Sequence, residues 1–170
     1  YHAIDALGSI KESQAVVPMI ERLKEITAKK SPDRGDEDNI GVAIINALAS
    51  IGDPMALPIF FEIARRSHAE EDWVYYGLTE STLLQSISGG PVTPFERLLA
   101  VLSCEELRKE LKKCLELKDE RTYAYIIRVL GKKKDENSVE LILRALDTFP
   151  NSQYSAIEAL GEIGDVRAFD

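Results

Sequence analysis

Apolar residues recur along this chain at the three- and four-residue spacing of amphipathic helices. Between residues 44 and 51 they fall at Ile44, Leu48 and Ile51, and a second set follows over residues 57–64. No alternating run of apolar and polar residues bounded by turn residues suggests a β-strand. The pattern therefore predicts an all-α protein.

A short phrase, Ala-Leu-Gly-x-Ile or a close variant, recurs within these predicted helices. Its copies begin at Ala6, Ala47, Leu83, Val129 and Ala159. Each clear copy is followed by a polar turn and a second apolar segment, so the repeating unit is a helix pair. Self-similarity over tens of residues is typical of repeat architectures, in which neighbouring pairs stack to bury a shared core.

The spacing predicts a single repeat array over residues 1–170. Its helices are expected at about 1–10, 13–29, 39–51, 54–68, 71–88, 94–102, 104–118, 120–132, 136–147 and 152–163. Lys29 to Asn39 is polar and is predicted to be a mobile surface loop, and residues 71–118 fit the repeat poorly enough to suggest an irregular or inserted region. Because both ends interrupt helical sequence, we expect a fragment truncated at both ends.

Turn residues punctuate the joints between helices. In Gly52-Asp53-Pro54, glycine suits a left-handed position, aspartate caps the next helix and proline fits its first turn. Further predicted caps are Asp165 after Gly164, Asp135 after Lys134, and Ser13 after Lys11-Glu12. Thr93 to Glu96 and Ser103 to Glu106 have the spacing of capping boxes.

Small residues occupy one register of the repeated phrase. They are Gly8, Ala49, Gly131 and Gly161. A small side chain at this position would let two helices approach closely.

The phrase Ala-Leu-Gly-x-Ile-Gly-Asp resembles HEAT-like repeats of the short type first described in phycobilisome lyases. Residues 159–168 match it best, 47–60 nearly as well and 6–18 in part. The resemblance implies an all-α, right-handed α-solenoid of HEAT-like helix pairs with the second helices lining its inner face. It also implies a non-catalytic scaffold that binds another protein. A bilin lyase or isomerase subunit, which would hold a tetrapyrrole, is the enzymatic alternative.

Residues that carry catalytic chemistry are sparse. Both histidines precede alanine, so the repeated His-Glu pairs of HEAT-like di-iron hydroxylases are absent, and no phosphate-binding loop or serine nucleophile elbow is present. Cys104 and Cys114 are ten residues apart and lie on nearly opposite faces of one predicted helix. No catalytic residue, metal or cofactor is therefore predicted, and enzymatic activity is the less favoured interpretation.

The predicted partner-binding residues are polar side chains on second helices, together with two aromatic residues that open the long helix of the weakest repeat. For the polar set, the plainer interpretation is a solvated helix face; for the aromatic pair, it is packing between helices. The set comprises Glu21, Arg22, Glu25, Glu62, Arg65, Arg66, Glu140, Arg144, Trp73 and Tyr76.

Charge is uneven along the chain. The whole sequence carries a net charge of −8, yet residues 108–134 hold ten basic and four acidic residues, a net +6. A basic patch is predicted at Arg108, Lys109, Lys112, Lys113, Lys132, Lys133 and Lys134. Nucleic-acid binding through this patch is a further alternative, against which the overall negative charge counts. No apolar run or leader pattern suggests a membrane span or signal peptide, so a cytoplasmic protein is expected.

Overall fold

In the computed structural model, residues 2–28, 35–66 and 93–168 are described, and every regular element within these ranges is helical. The α-helices are α1 (His2–Ser9), α2 (Val16–Ala28), α3 (Gly35–Ile51), α4 (Leu57–Arg66), α5 (Pro94–Leu99), α6 (Cys104–Leu117), α7 (Glu120–Lys132), α8 (Val139–Ala145) and α9 (Gln153–Ile163). Short 3-10 turns cover Ser13–Ala15, Pro54–Ala56, Glu136–Ser138, Pro150–Ser152 and Val166–Ala168. The predicted all-α class is confirmed.

Helix α3 begins earlier than the sequence pattern predicts. Residues 35–38, expected to belong to a surface loop, form its first turn. The predicted helix at 71–88, with Trp73 and Tyr76, lies outside the described residues, as do positions 29–34.

The first of two compact units comprises Tyr1–Val101. Within it α3 packs against α1, α2 and α5, and α2 also packs against α4. First helices are thus neighbours of first helices, and second helices of second helices, as the repeat predicts. Ile44, Ile45 and Leu48 are almost completely buried on α3, so one helix supplies much of the core of this unit.

Helix α5 closes the aromatic part of this core. The Phe95 ring meets the Phe61 ring edge to face at a centroid distance of 5.5 Å and lies 6.2 Å from the Phe60 centroid. The predicted capping box is present, since the Glu96 backbone N–H donates to the Thr93 hydroxyl oxygen at 3.1 Å. A six-residue helix is therefore held by a cap and a cluster of rings.

The second unit comprises Leu102–Asp170 and centres on α7, which packs against α6 and α9. Tyr123 of α7 is buried beside the Phe149 ring, and its hydroxyl donates to the Ile142 carbonyl oxygen at 3.4 Å. Burial raises the pKa of the Tyr123 hydroxyl well above its usual value. Helix α6, whose place the sequence left unassigned, buries Leu107 and Leu111 and packs along α7.

The small residues of the repeated phrase permit close contacts between the first helices of successive repeats. A Cβ atom placed on Gly8 of α1 would lie 2.8 Å from the Ala47 Cα of α3. The same construction on Gly131 of α7 would lie 2.9 Å from the Ala159 Cα of α9. The close approach therefore joins one repeat to the next, and the same contact occurs in both units.

A left-handed residue ends the first helix of each clear repeat. Lys11, Gly52, Lys134 and Gly164 have φ angles of 53°, 75°, 53° and 71°, and each lies three residues after the small position of the phrase. Glycine adopts this conformation readily, whereas a side chain makes it costly. Lysine at two of the four copies therefore carries backbone strain that the glycine copies avoid.

An acidic residue follows the left-handed one in all four copies, and at Glu12, Asp53 and Asp165 its side chain caps the next turn. Asp53 accepts from the Met55 backbone N–H at 2.9 Å, as predicted. Asp165 likewise accepts from Arg167, whose hydrogen bonds lower the pKa of Asp165 to about 2. The predicted cap at Ser13 is wrong, because Glu12 accepts from the Gln14 backbone N–H instead. The longer Glu12 side chain thus accepts from the backbone N–H two residues later, as Asp53 does.

Replacing Lys134 with glycine should stabilise the protein by about 1 kcal/mol, because relief of left-handed strain outweighs the added flexibility of the unfolded chain. Lys133 is the matched control: its φ is −79°, so Lys133→Gly should destabilise by about 0.5–1 kcal/mol. Urea denaturation followed by circular dichroism measures both changes. Equal destabilisation by the two substitutions would show that the left-handed conformation of Lys134 carries no backbone strain.

Candidate binding surface

Helix α2 presents one polar stripe to solvent. Val16, Met19, Leu23 and Ile26 are buried along one face, because they follow each other at three- and four-residue spacing. Of the predicted binding residues, Glu21 and Glu25 are exposed and Arg22 is half-buried. The Arg22 Nη1 and Glu25 Oε2 atoms form an ion pair at 2.8 Å. The stripe therefore has two carboxylates and a guanidinium whose position is defined by its partner.

Helix α4 is more deeply buried and leaves only a narrow polar edge. Pro58 and Arg65 are exposed and Glu62 is partly exposed, at four- and three-residue spacing. The Arg65 guanidinium carbon lies 5.3 Å from the Phe61 ring centroid, a cation–π distance. The four-residue separation of an aromatic and a basic residue was a sequence signal for this contact. The side chain of Arg66 is outside the described residues.

In the second unit, the predicted residues of α8 are exposed. Val139, Ile142 and Ala145 are buried, and Glu140 and Arg144 lie on the opposite, solvent-facing side. Helices α2, α4 and α8 thus each have at least one exposed or partly exposed acid and one such base. Helices α2 and α4, which carry the predicted residues of the first unit, pack on each other.

Several basic residues of the predicted patch form ion pairs with carboxylates of the same unit. Arg108 donates to both Asp135 carboxylate oxygens at 2.6 Å, and only 7% of the Asp135 side chain is exposed. Asp135 therefore binds Arg108 and does not form the side-chain cap that its sequence position predicts. This pair ties α6 to the turn after α7.

The remaining basic residues of α6 alternate with acids on its exposed side. The Lys109 Nζ lies 2.9 Å from a Glu105 carboxylate oxygen, and Lys113 pairs with Glu110 at 2.5 Å. The hydrogen bond from Lys109 is the main cause of a lowered pKa at Glu105. Lys112 is exposed on the same helix, and Lys132, Lys133 and Lys134 are exposed after it. The described α6 surface is thus mixed in charge.

The described residues were also searched for metal-binding clusters, reactive thiols and membrane-spanning helices. Within residues 2–28, 35–66 and 93–168, no three His, Cys, Asp or Glu side chains are grouped to hold a metal ion. Cys104 is half-buried and Cys114 is buried, and both are free thiols. None of the helices in these ranges combines the length and apolarity that a bilayer span requires.

Comparison with known families agrees with the repeat geometry. The family model described as PBS lyase HEAT-like repeat matches residues 152–170, which contain α9 and the turn after it. No curated protein and no solved structure matches the chain. The matched segment contains the copy of the phrase that begins at Ala159, on a helix that packs against α7 as α1 packs against α3. Residues 152–170 are therefore similar to one repeat of the PBS lyase HEAT-like type.

Proposed function

We propose that the chain is a non-catalytic scaffold that binds another protein through the exposed side of its second helices. The observation that supports this proposal is the packing of α2 on α4 within one unit, since each of these helices has polar side chains on its exposed side. We name the exposed and partly exposed residues Glu21, Arg22, Glu25, Glu62 and Arg65 the second-helix surface. Stacked helical repeats use extended surfaces of this kind to bind partners.

The contacts within this surface favour recognition over simple solvation. Arg22 is held by Glu25, and Arg65 rests against the Phe61 ring, so both guanidinium groups lose less freedom on binding than unpaired lysines would. Arginine is also enriched at protein interfaces, where it donates several hydrogen bonds at once. The surface therefore suits a partner that offers both carboxylates and basic groups.

A second part of the proposal concerns how the repeats are arranged. We propose that the repeats form a right-handed α-solenoid with the second helices on its inner side, and that Glu140, Arg144 and Arg66 continue the binding surface. Trp73 and Tyr76 are proposed as anchors of the same interface. The protein is proposed to act in the cytoplasm.

Charge reversal on the second-helix surface tests the proposal. The double variant Glu21→Lys with Arg65→Glu keeps the net charge and should weaken binding of a partner captured by the wild-type chain at least about tenfold. The measurement is calorimetric titration of the purified partner. The effect is expected because both replaced side chains are exposed; circular dichroism verifies that loss of the Arg65 contact with Phe61 leaves the variant folded.

The matched control reverses a charge pair elsewhere. Glu105→Lys with Lys109→Glu on α6 also keeps the net charge and preserves an ion pair, so affinity should stay within about twofold. Unchanged affinity in the first variant would refute the second-helix surface. A loss confined to the α6 variant would assign binding to the basic patch instead.

A further inference from the structure

Helices α2 and α4 are equivalent elements of two successive repeats. The repeat aligns Val16, where α2 begins, with Leu57, where α4 begins, and a capped 3-10 turn precedes each. Gly8, near the end of α1, lies close to Ala47, near the end of α3, so the turns that lead into α2 and α4 lie at the same end of the first unit. Because α2 packs on α4 and on the turn before it, the two helices run side by side in the same direction.

Three positions are exposed or partly exposed on both helices, and each keeps its chemical character in the two repeats. Counted from the helix start, the second residue is apolar, the sixth is acidic and the ninth is basic. The pairs are Val17 with Pro58, Glu21 with Glu62, and Lys24 with Arg65. By contrast, Pro18 is exposed and its equivalent Ile59 is buried. The three shared positions therefore define the face that both repeats leave open, whatever packs beside α2.

We propose that these positions form three parallel rows across the first unit, one apolar, one acidic and one basic, and that the rows bind an amphipathic helix of a partner protein. This proposal rests on the proposed function and names the kind of partner that the second helices bind. Packed helices lie about 8–10 Å apart, and residues seven apart on an α-helix recur every ~10.5 Å. A partner helix lying across α2 and α4 therefore meets both repeats with side chains of the same heptad position.

Charge complementarity defines the side chains that the partner needs. Basic residues face the acidic row, carboxylates face the basic row, and apolar side chains face the apolar row, where Val17 is 49% exposed and gains burial. On a helix, residues four apart lie on neighbouring lines of one face, so three adjacent stripes fit three rows. An extended segment fits less well, because alternate side chains point away from the surface. The partner helix therefore has an apolar, a basic and an acidic stripe in that order.

Two synthetic helices of identical composition test the order of the rows. Both have a seven-residue repeat that starts with leucine. In the lysine-centred peptide, glutamate is second and lysine is fifth, which places the lysine stripe between the other two; the glutamate-centred peptide exchanges lysine and glutamate. At low salt the wild type should bind the lysine-centred peptide at least about tenfold more tightly. Fluorescence anisotropy of the labelled peptides measures both affinities.

Exchanging the charges on the protein should reverse this preference. The variant Glu21→Lys, Lys24→Glu, Glu62→Lys and Arg65→Glu keeps the net charge and interchanges the acidic and basic rows, so it should prefer the glutamate-centred peptide. The exchange on α2 alone, Glu21→Lys with Lys24→Glu, leaves neither row continuous. It should therefore bind the lysine-centred peptide about tenfold more weakly than the wild type and show no preference between the two peptides.

The control is Glu105→Lys with Lys109→Glu on α6, which should keep the wild-type preference, and circular dichroism verifies that all variants are folded. Equal affinity of the wild type for the two peptides, or no binding of either, would overturn the three rows. An unchanged preference after the exchange on both helices would also overturn them. The proposed function is tested separately, because it fails only if Glu21→Lys with Arg65→Glu leaves binding of the captured partner unchanged.

Discussion

Replacing Gly131 with alanine should destabilise the protein by about 1–3 kcal/mol, although alanine is the better helix former. The added Cβ atom would lie 2.9 Å from the Ala159 Cα and 3.1 Å from its Cβ. The nearest atom is backbone, so relief requires α7 and α9 to move apart, which loosens the core around Ile127 and Leu130. Urea denaturation measures the free energy of unfolding.

Gly161 provides a matched control at the same register. A Cβ atom on Gly161 would have no neighbour within 4 Å, so Gly161→Ala should stabilise by about 0.5–1 kcal/mol through helix propensity alone. The same substitution at equivalent positions of two repeats is thus expected to have opposite signs. Stabilisation by both changes would show that α7 and α9 are not in close contact.

The second large effect is expected at Leu48, where truncation to alanine should cost about 2–5 kcal/mol. Leu48 has no exposed surface and lies on α3, the helix against which α1, α2 and α5 pack. Removing its side chain leaves a cavity that three helices would have to collapse to fill. Thermal and urea denaturation both report the loss.

The matched control is Leu117→Ala at the end of α6, where the leucine is 63% exposed. That change should alter the free energy of unfolding by less than about 0.5 kcal/mol. A Leu48→Ala variant as stable as the Leu117→Ala variant would contradict the placement of the repeated leucine in the core.

The helices and most of their caps could be predicted, because they depend on interactions between residues that are close in sequence. The boxes at Thr93 and Ser103 depend on a hydroxyl and a glutamate three residues apart, and both are present in the structure. Two caps were misassigned because the choice between neighbouring side chains is decided by reach and competition. Glu12 is the cap in place of Ser13, and Asp135 pairs with Arg108 and forms no side-chain cap.

The candidate site was less predictable than the fold. Spacing alone placed Glu21, Glu25 and Arg65 on exposed helix faces, because burial of the opposite apolar stripe requires it. It did not show that α2 packs on α4, nor that Arg108 is paired with a nearly buried carboxylate 27 residues away. Such contacts depend on how separate helices pack, which a local pattern does not encode.

The helical class, the repeating unit and the residues of its core could be predicted from the sequence, since they arise from periodicity, caps and small residues acting over one or two turns. Which helices the small residues join depends on tertiary packing. Gly8 and Gly131 bring first helices of successive repeats together, whereas Gly161, in the same register, meets no neighbour. Identical local sequences thus have different surroundings, because burial depends on whether another helix packs against them.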